Sequence, residues 1–153
     1  MQSTKPLSEE LKIYRIVNVD YVTISLYDHS IHAGFPSPAS DYIEEEIDLA
    51  NYLNPKPLST FIAKAVGESM INAFIPPGAY LIIDKSLKPT NNMIVIAVIN
   101  GEFTIKRYIS NSSGITLMPA NIKFQPISIT EDMDFTIWGV VTKIIIDPIK
   151  LSI

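Results

Sequence analysis

Two fragments, Gly67-Glu68-Ser69-Met70 and Gly101-Glu102-Phe103-Thr104-Ile105-Lys106, carry the residue types best suited to chemistry in this chain. They set a serine just after one strand-like run and a lysine 37 residues later in another. A serine hydroxyl is a poor nucleophile until a base takes its proton. A lysine can be that base only if burial and apolar neighbours lower its pKa from about 10.4 toward neutrality, because burial disfavours the ammonium. Ser-Lys pairs substitute for Ser-His-Asp triads. Upstream, the Ala33-Gly34 bond offers an internal substrate between two small residues. The pattern reads as a protein that cuts itself.

Spacing alone leaves a second reading open, in which Lys106 is a solvated strand residue. Strand alternation makes Thr104 and Tyr108 its same-face neighbours, which is compatible with partial burial. Glu68 points away from Ser69 if both lie in extended backbone, and is expected in solvent. Other chemistries fit less well. His29 and His32 are the only histidines, and both precede the proposed cut, so a histidine-based triad or metal site would leave with the excised segment. No metal or other cofactor is expected. Glu44-Glu45-Glu46 reads as a solvated face. Residue 71 is isoleucine, so Ser69 is not in a G-x-S-x-G elbow, and no serine has a lysine three positions on.

These residues need a frame to hold them. With 153 residues, 47% hydrophobic and 18% charged, the chain suits one globular domain with room for a core and a tail. It has no cysteine, which excludes disulfides, thiol catalysis and cysteine-zinc sites. No apolar run reaches the roughly 18 residues of a spanning helix, and Met1–Pro6 is followed by no apolar signal core. A cytoplasmic location without membrane contact is expected. The net charge is −4, and Arg15 and Arg107 are the only arginines, so the basic stripe of a nucleic-acid binder is missing. Work near DNA would have to run through a protein partner.

Along the chain, a short helix is predicted near Leu7–Ile16 and a β-prone stretch over Val17–Tyr27. Gly34-Phe35-Pro36-Ser37-Pro38-Ala39-Ser40 marks an extended connector. The apolar spacing after Asp41 predicts a short helix or turn near Asp48–Tyr52, ended by Pro55 and Pro57. Strands are then expected at Thr60–Val66, Ala79–Ile83, Met93–Ile99, Glu102–Ile109 and Ile115–Met118, with one long strand or two over Phe135–Ile146. Pro76-Pro77-Gly78 sets a turn, and Asn100-Gly101 is a strong hairpin signal because both residues tolerate positive φ. The fold class is therefore mainly β, a compact domain of about seven or more strands.

The chain resembles the UmuD proteins within the LexA-like family of self-cleaving serine peptidases. The resemblance covers residues 33–146. It rests on Gly34-Phe35-Pro36-Ser37-Pro38-Ala39-Ser40-Asp41-Tyr42, on Gly67-Glu68-Ser69-Met70, and on Asp84 closing Leu81-Ile82-Ile83. Gly101–Lys106, Leu117-Met118-Pro119-Ala120-Asn121 and Trp138-Gly139-Val140-Val141 complete it. It implies a LexA-like, signal-peptidase-like β domain at 34–153 and a flexible N-terminal arm, residues 1–33, removed by self-cleavage. It further implies Ser69 as nucleophile, Lys106 as general base, Ala33-Gly34 as the scissile bond, and backbone N–H groups of Glu68 and Ser69 facing the oxyanion. UmuD proteins often carry cysteine where this chain has Ala33; Ala-Gly is the usual LexA-type bond. Expected partners are a second copy in a homodimer, the RecA filament on single-stranded DNA that promotes cleavage, and a Y-family polymerase subunit that the shortened form joins for translesion synthesis in the SOS response. Three rivals share parts of this pattern. A LexA or phage repressor would need a helix-turn-helix domain before the cut, and a signal peptidase would need a membrane anchor. A non-catalytic dimeric module would not need both Ser69 and Lys106.

Overall fold

The computed structural model describes residues 11–15, 23–27, 33–34, 43–56 and 58–151. Within them lie β1 (Leu11–Arg15), β2 (Thr23–Tyr27), β3 (Ile43–Asp48), α1 (Leu49–Leu53), β4 (Thr60–Ala65) and β5 (Tyr80–Asp84). β6 (Ile94–Ile99), β7 (Glu102–Asn111), β8 (Gly114–Met118), β9 (Ile127–Ser128) and β10 (Phe135–Ile145) follow. Eight strands form one sheet in the order β1-β4-β5-β10-β6-β7-β8-β9, and β2 pairs with β3 separately. Every pairing is antiparallel. The mainly β class stands.

Strand alternation divides the core in two. β6 sends Val95, Ala97 and Ile99 into one buried cluster with Leu117 and Val140, and Ile96 into another with Ala63, Leu81, Ile83 and Ile105. Both faces of this central strand are covered, which explains its unbroken run of apolar residues. β10 runs between β5 and β6 and shifts register twice, between Ile137 and Gly139 and between Val141 and Lys143. Such bulges bend a long strand and increase its twist. Gly139 is required at the first one, since a Cβ there would lie 2.5 Å from Cγ2 of the buried Ile83.

The hairpin signal is fulfilled. β6 and β7 are joined by Asn100 and Gly101, with φ of 49° and 82°, both positive as the two-residue turn demands. Asp48 caps α1 by accepting the Asn51 N–H, and the helix ends at Leu53, as the prolines beyond it predict. The expected strands after Pro57 are all present, and Phe135–Ile145 is one bulged strand.

One expectation fails. The helix predicted near Leu7–Ile16 is, over Leu11–Arg15, a strand paired with β4. Leu11 is buried, Lys12 exposed and Ile13 half-buried against the core, a period of two that a β4 edge can reward and a lone helix cannot. β3 and the two-residue β9 were not foreseen either. Ile24 and Leu26 of the β-prone stretch lie in β2, while Tyr21 and Val22 fall outside the described residues. His29 and His32 fall outside them as well.

Candidate active site

Ser69 sits where β4 has ended and the chain turns back toward β5. Val66 is exposed, Gly67 and Glu68 form a bend, and Ser69-Met70 enter a single 3-10 turn over Ile71–Ala73. Two side chains anchor this turn: Met70 and Ile75, 2% and 1% exposed, both belong to the core cluster beneath. The Met70 carbonyl accepts the N–H groups of Ala73 and Ile75, which closes the loop on itself. Glu68 is exposed, as expected.

Lys106 comes from the middle of β7. Register places it opposite Val95, and Thr104 opposite Ala97; all four are essentially buried. Directly opposed residues share a face, so the lysine stem lies against apolar neighbours. The reading of Lys106 as a solvated strand residue is therefore wrong: it is 3% exposed, the same as Ser69.

Lys106 Nζ lies 2.9 Å from Ser69 Oγ, from Thr104 Oγ1 and from the Ile105 carbonyl oxygen. As an ammonium it can donate to all three. As a neutral amine it keeps two N–H groups for Thr104 and Ile105 and turns its lone pair to the Ser69 hydroxyl. Burial acts against the charged form. The arrangement can thus move a proton between Oγ and Nζ with no rearrangement of heavy atoms. Thr104 was expected on this face; Tyr108, its other predicted neighbour, is half-buried in the second cluster.

A third segment braces the site. β8 ends at Met118 because Pro119 has no N–H to continue the ladder. The chain then crosses the turn that carries Ser69. Ala120 N–H donates to the Ser69 carbonyl at 2.8 Å, Asn72 N–H donates to the Ala120 carbonyl at 2.9 Å, and Asn121 Nδ2 donates to the Glu68 carbonyl at 2.9 Å. In the sequence these residues carry only the family resemblance; a proline closing a strand, with an asparagine two residues on, is the local signal that marks the strap.

On the far side, Asp84 ends β5 and is buried. Burial would raise its pKa, but hydrogen bonds from the Ser86 hydroxyl and N–H, from Ser59, and the Lys56 ammonium outweigh it and hold the carboxyl below its ordinary value. Asp84 thereby ties the loop before β4 to the end of β5.

Ala33 and Gly34 form an exposed bend, and a Cβ built on Gly34 would meet nothing within 4 Å.

The Peptidase S24-like family model matches residues 25–142, a span that includes Ser69, Lys106 and the strap. The chain belongs to this family. It is 42% identical over 123 residues to Protein SamA of Salmonella typhimurium, covering 80% of this chain and 85% of that one. Against Protein MucA of Escherichia coli the identity is 38% over 126 residues, covering 82% and 86%. The LexA repressor of Clostridium novyi is 35% identical over 130 residues, 85% of this chain and 63% of the repressor. The family and these relatives agree with the UmuD-like resemblance, and the curled β domain is the LexA-like fold it implied. Among the described residues no helix is long and apolar enough to cross a membrane.

Proposed function

We propose that this S24 member is a self-cleaving serine endopeptidase that cuts its own Ala33-Gly34 bond, using Ser69 as nucleophile and Lys106 as general base. The observation that carries the reading is the 2.9 Å contact between two side chains that are each 3% exposed. Neutral Lys106 takes the hydroxyl proton as Oγ attacks the Ala33 carbonyl carbon. The oxyanion faces the N–H groups of Glu68 and Ser69, fixed donors of the kind worth a few kcal/mol each. As the C–N bond breaks, the Lys106 ammonium protonates the Gly34 nitrogen, leaving residues 1–33 esterified to Ser69. Water then attacks the ester and gives a proton to Lys106, which passes it to Ser69 Oγ as the C–O bond breaks, freeing the arm and restoring the serine and the neutral lysine.

The exposed bend supports a reaction limited by docking. The bond must leave its place and reach a buried serine, and a partner that binds the docked state raises the rate in proportion to its population. In this reading the partner is the RecA filament on single-stranded DNA, and the cut form, residues 34–153, serves as a homodimeric accessory of a Y-family polymerase during SOS mutagenesis. Charge is not the signal: in the arm Lys5, Lys12 and Arg15 nearly balance Glu9, Glu10, Asp20 and Asp28. Uncovering is, because β1 and β2 would leave with the arm, which makes β4 an open edge beside β5 and takes from β3 its partner strand.

Intact-mass spectrometry after alkaline incubation, without any partner, tests this. The expected products are residues 1–33 and 34–153 from the wild type and none from Ser69→Ala. An uncut wild type, or a new terminus elsewhere than Gly34, overturns the assignment. A pull-down of the polymerase subunit should favour the cut form over intact Ser69→Ala; equal capture sinks the activation step.

A further inference from the structure

We infer that Asn121 is a positioning residue for the oxyanion donor, acting by fixing the plane of the Glu68-Ser69 peptide. The inference deepens the reading of Ser69 as nucleophile and rests on it. Cis peptide bonds are absent among the described residues, so the Glu68 carbonyl and the Ser69 N–H lie in one plane and point in opposite directions within it. Whatever holds the carbonyl aims the N–H.

Two groups hold it. Asn121 Nδ2 donates to the Glu68 oxygen at 2.9 Å, and the Ile71 N–H donates at 3.2 Å from within the turn itself. The shorter bond comes from a segment outside the turn, itself bound to the turn through Ala120 and Asn72. The Ser69 N–H, by contrast, finds no acceptor among the described residues. An amide with an anchored carbonyl and an unspent N–H, beside the attacking oxygen, is built to receive a charge that appears only during reaction.

Asn121 has a second bond, and it supplies the control. Its Oδ1 accepts the Lys123 N–H at 3.0 Å, which shapes the following loop. Asn121→Asp keeps that acceptor but replaces the donor to Glu68 by a charged carboxylate oxygen; Asn121→Ala removes both and adds no charge, so it separates loss of the donor from the added charge. A merely structural Asn121 working through Lys123 predicts a normal Asn121→Asp and a damaged Asn121→Ala. A positioning Asn121 predicts that both are slow. Because Ile71 still holds the carbonyl, the expected loss is about tenfold, below the 10²–10³ of deleting a donor outright.

The experiment measures the plateau rate of self-cleavage at alkaline pH, and the rate at which a fluorophosphonate labels Ser69. Labelling forms the Oγ–P bond, expels fluoride, passes the proton to Lys106 and needs no docking of Ala33-Gly34. Both rates should fall about tenfold in both variants, with the pH midpoint of Asn121→Ala unchanged since Lys106 keeps its surroundings. Wild-type rates in either variant overturn the inference, and so does a shifted midpoint that accounts for the loss. If the wild type labels but does not cut, the cleavage reading fails and labelling alone decides on Asn121. If it does neither, both readings fall.

Discussion

The turn that carries Ser69 and the bend that carries Ala33-Gly34 are opposites. Ser69 is buried, anchored below by Met70 and Ile75, bonded to Lys106, and strapped from outside by Ala120 and Asn121. The bend is exposed, and nothing among the described residues lies within 4 Å of a Cβ built on Gly34. In the proposed reaction this contrast puts control in a docking equilibrium, which a partner could shift without touching the chemistry.

The sharpest way to break that contrast is to disarm the buried half. Ser69→Ala and Lys106→Ala should each abolish cleavage while the bend stays as it is. Lys106→Arg should not rescue, because a guanidinium keeps its charge at any usable pH. Cleavage by Lys106→Arg at the normal rate would remove lysine from the mechanism and leave the buried pair a structural contact.

The next effect is graded with pH. Only neutral Lys106 can take the proton, so the spontaneous rate should climb as pH rises through the folded-state pKa of that lysine, then level off. Stopped time courses by gel or mass read this directly. A rate flat from neutral to strongly alkaline pH would exclude a lysine base.

A smaller effect sharpens how rigid the buried half is. Gly139→Ala pushes a Cβ toward Ile83, which is 0% exposed and backed by the cluster that also holds Met70. Overpacking of this kind costs about 1–3 kcal/mol, to be read as a lower denaturation midpoint. Unchanged stability would mean that the sheet under the nucleophile yields more easily than its packing implies.

The smallest concerns Asp84. Its folded-state pKa is depressed, so it contributes stability that is present above the unfolded value, about 3.9, and is lost as pH falls through the folded value. Asp84→Asn should be less stable than the wild type at neutral pH, with the gap closing below about pH 4. Thermal melts of both proteins across that range decide it, and a gap independent of pH would show that the charge is not what ties Lys56 and Ser86 to the sheet.

Most strands from Thr60 onward could be read along the chain, because local signals coincide with tertiary ones there. Asn100-Gly101 and Pro76-Pro77-Gly78 fix turns through backbone sterics, and the β-branched runs between them suit a sheet in any context. β1 could not be read that way. Leu11-Lys12-Ile13 allows helix or strand, and the decision belongs to the free edge of β4, which is distant in the chain. β9 is two residues long and exists only because Thr116 and Leu117 offer it a ladder.

The site divides along the same line. Residue type and spacing made Ser69 and Lys106 one candidate pair among many serines and lysines, and left Lys106 open as a solvated residue; the family motifs singled the pair out. The 2.9 Å contact, the burial that acts against the ammonium, and the Asn121 strap depend on the register of β6 against β7 and on where β8 must stop. A sequence determines which groups are available and which local turns are favoured. Which of them share a face, lose their water and meet at bonding distance is settled by strand pairing over long chain separations, where one residue of register would turn Lys106 to the opposite face.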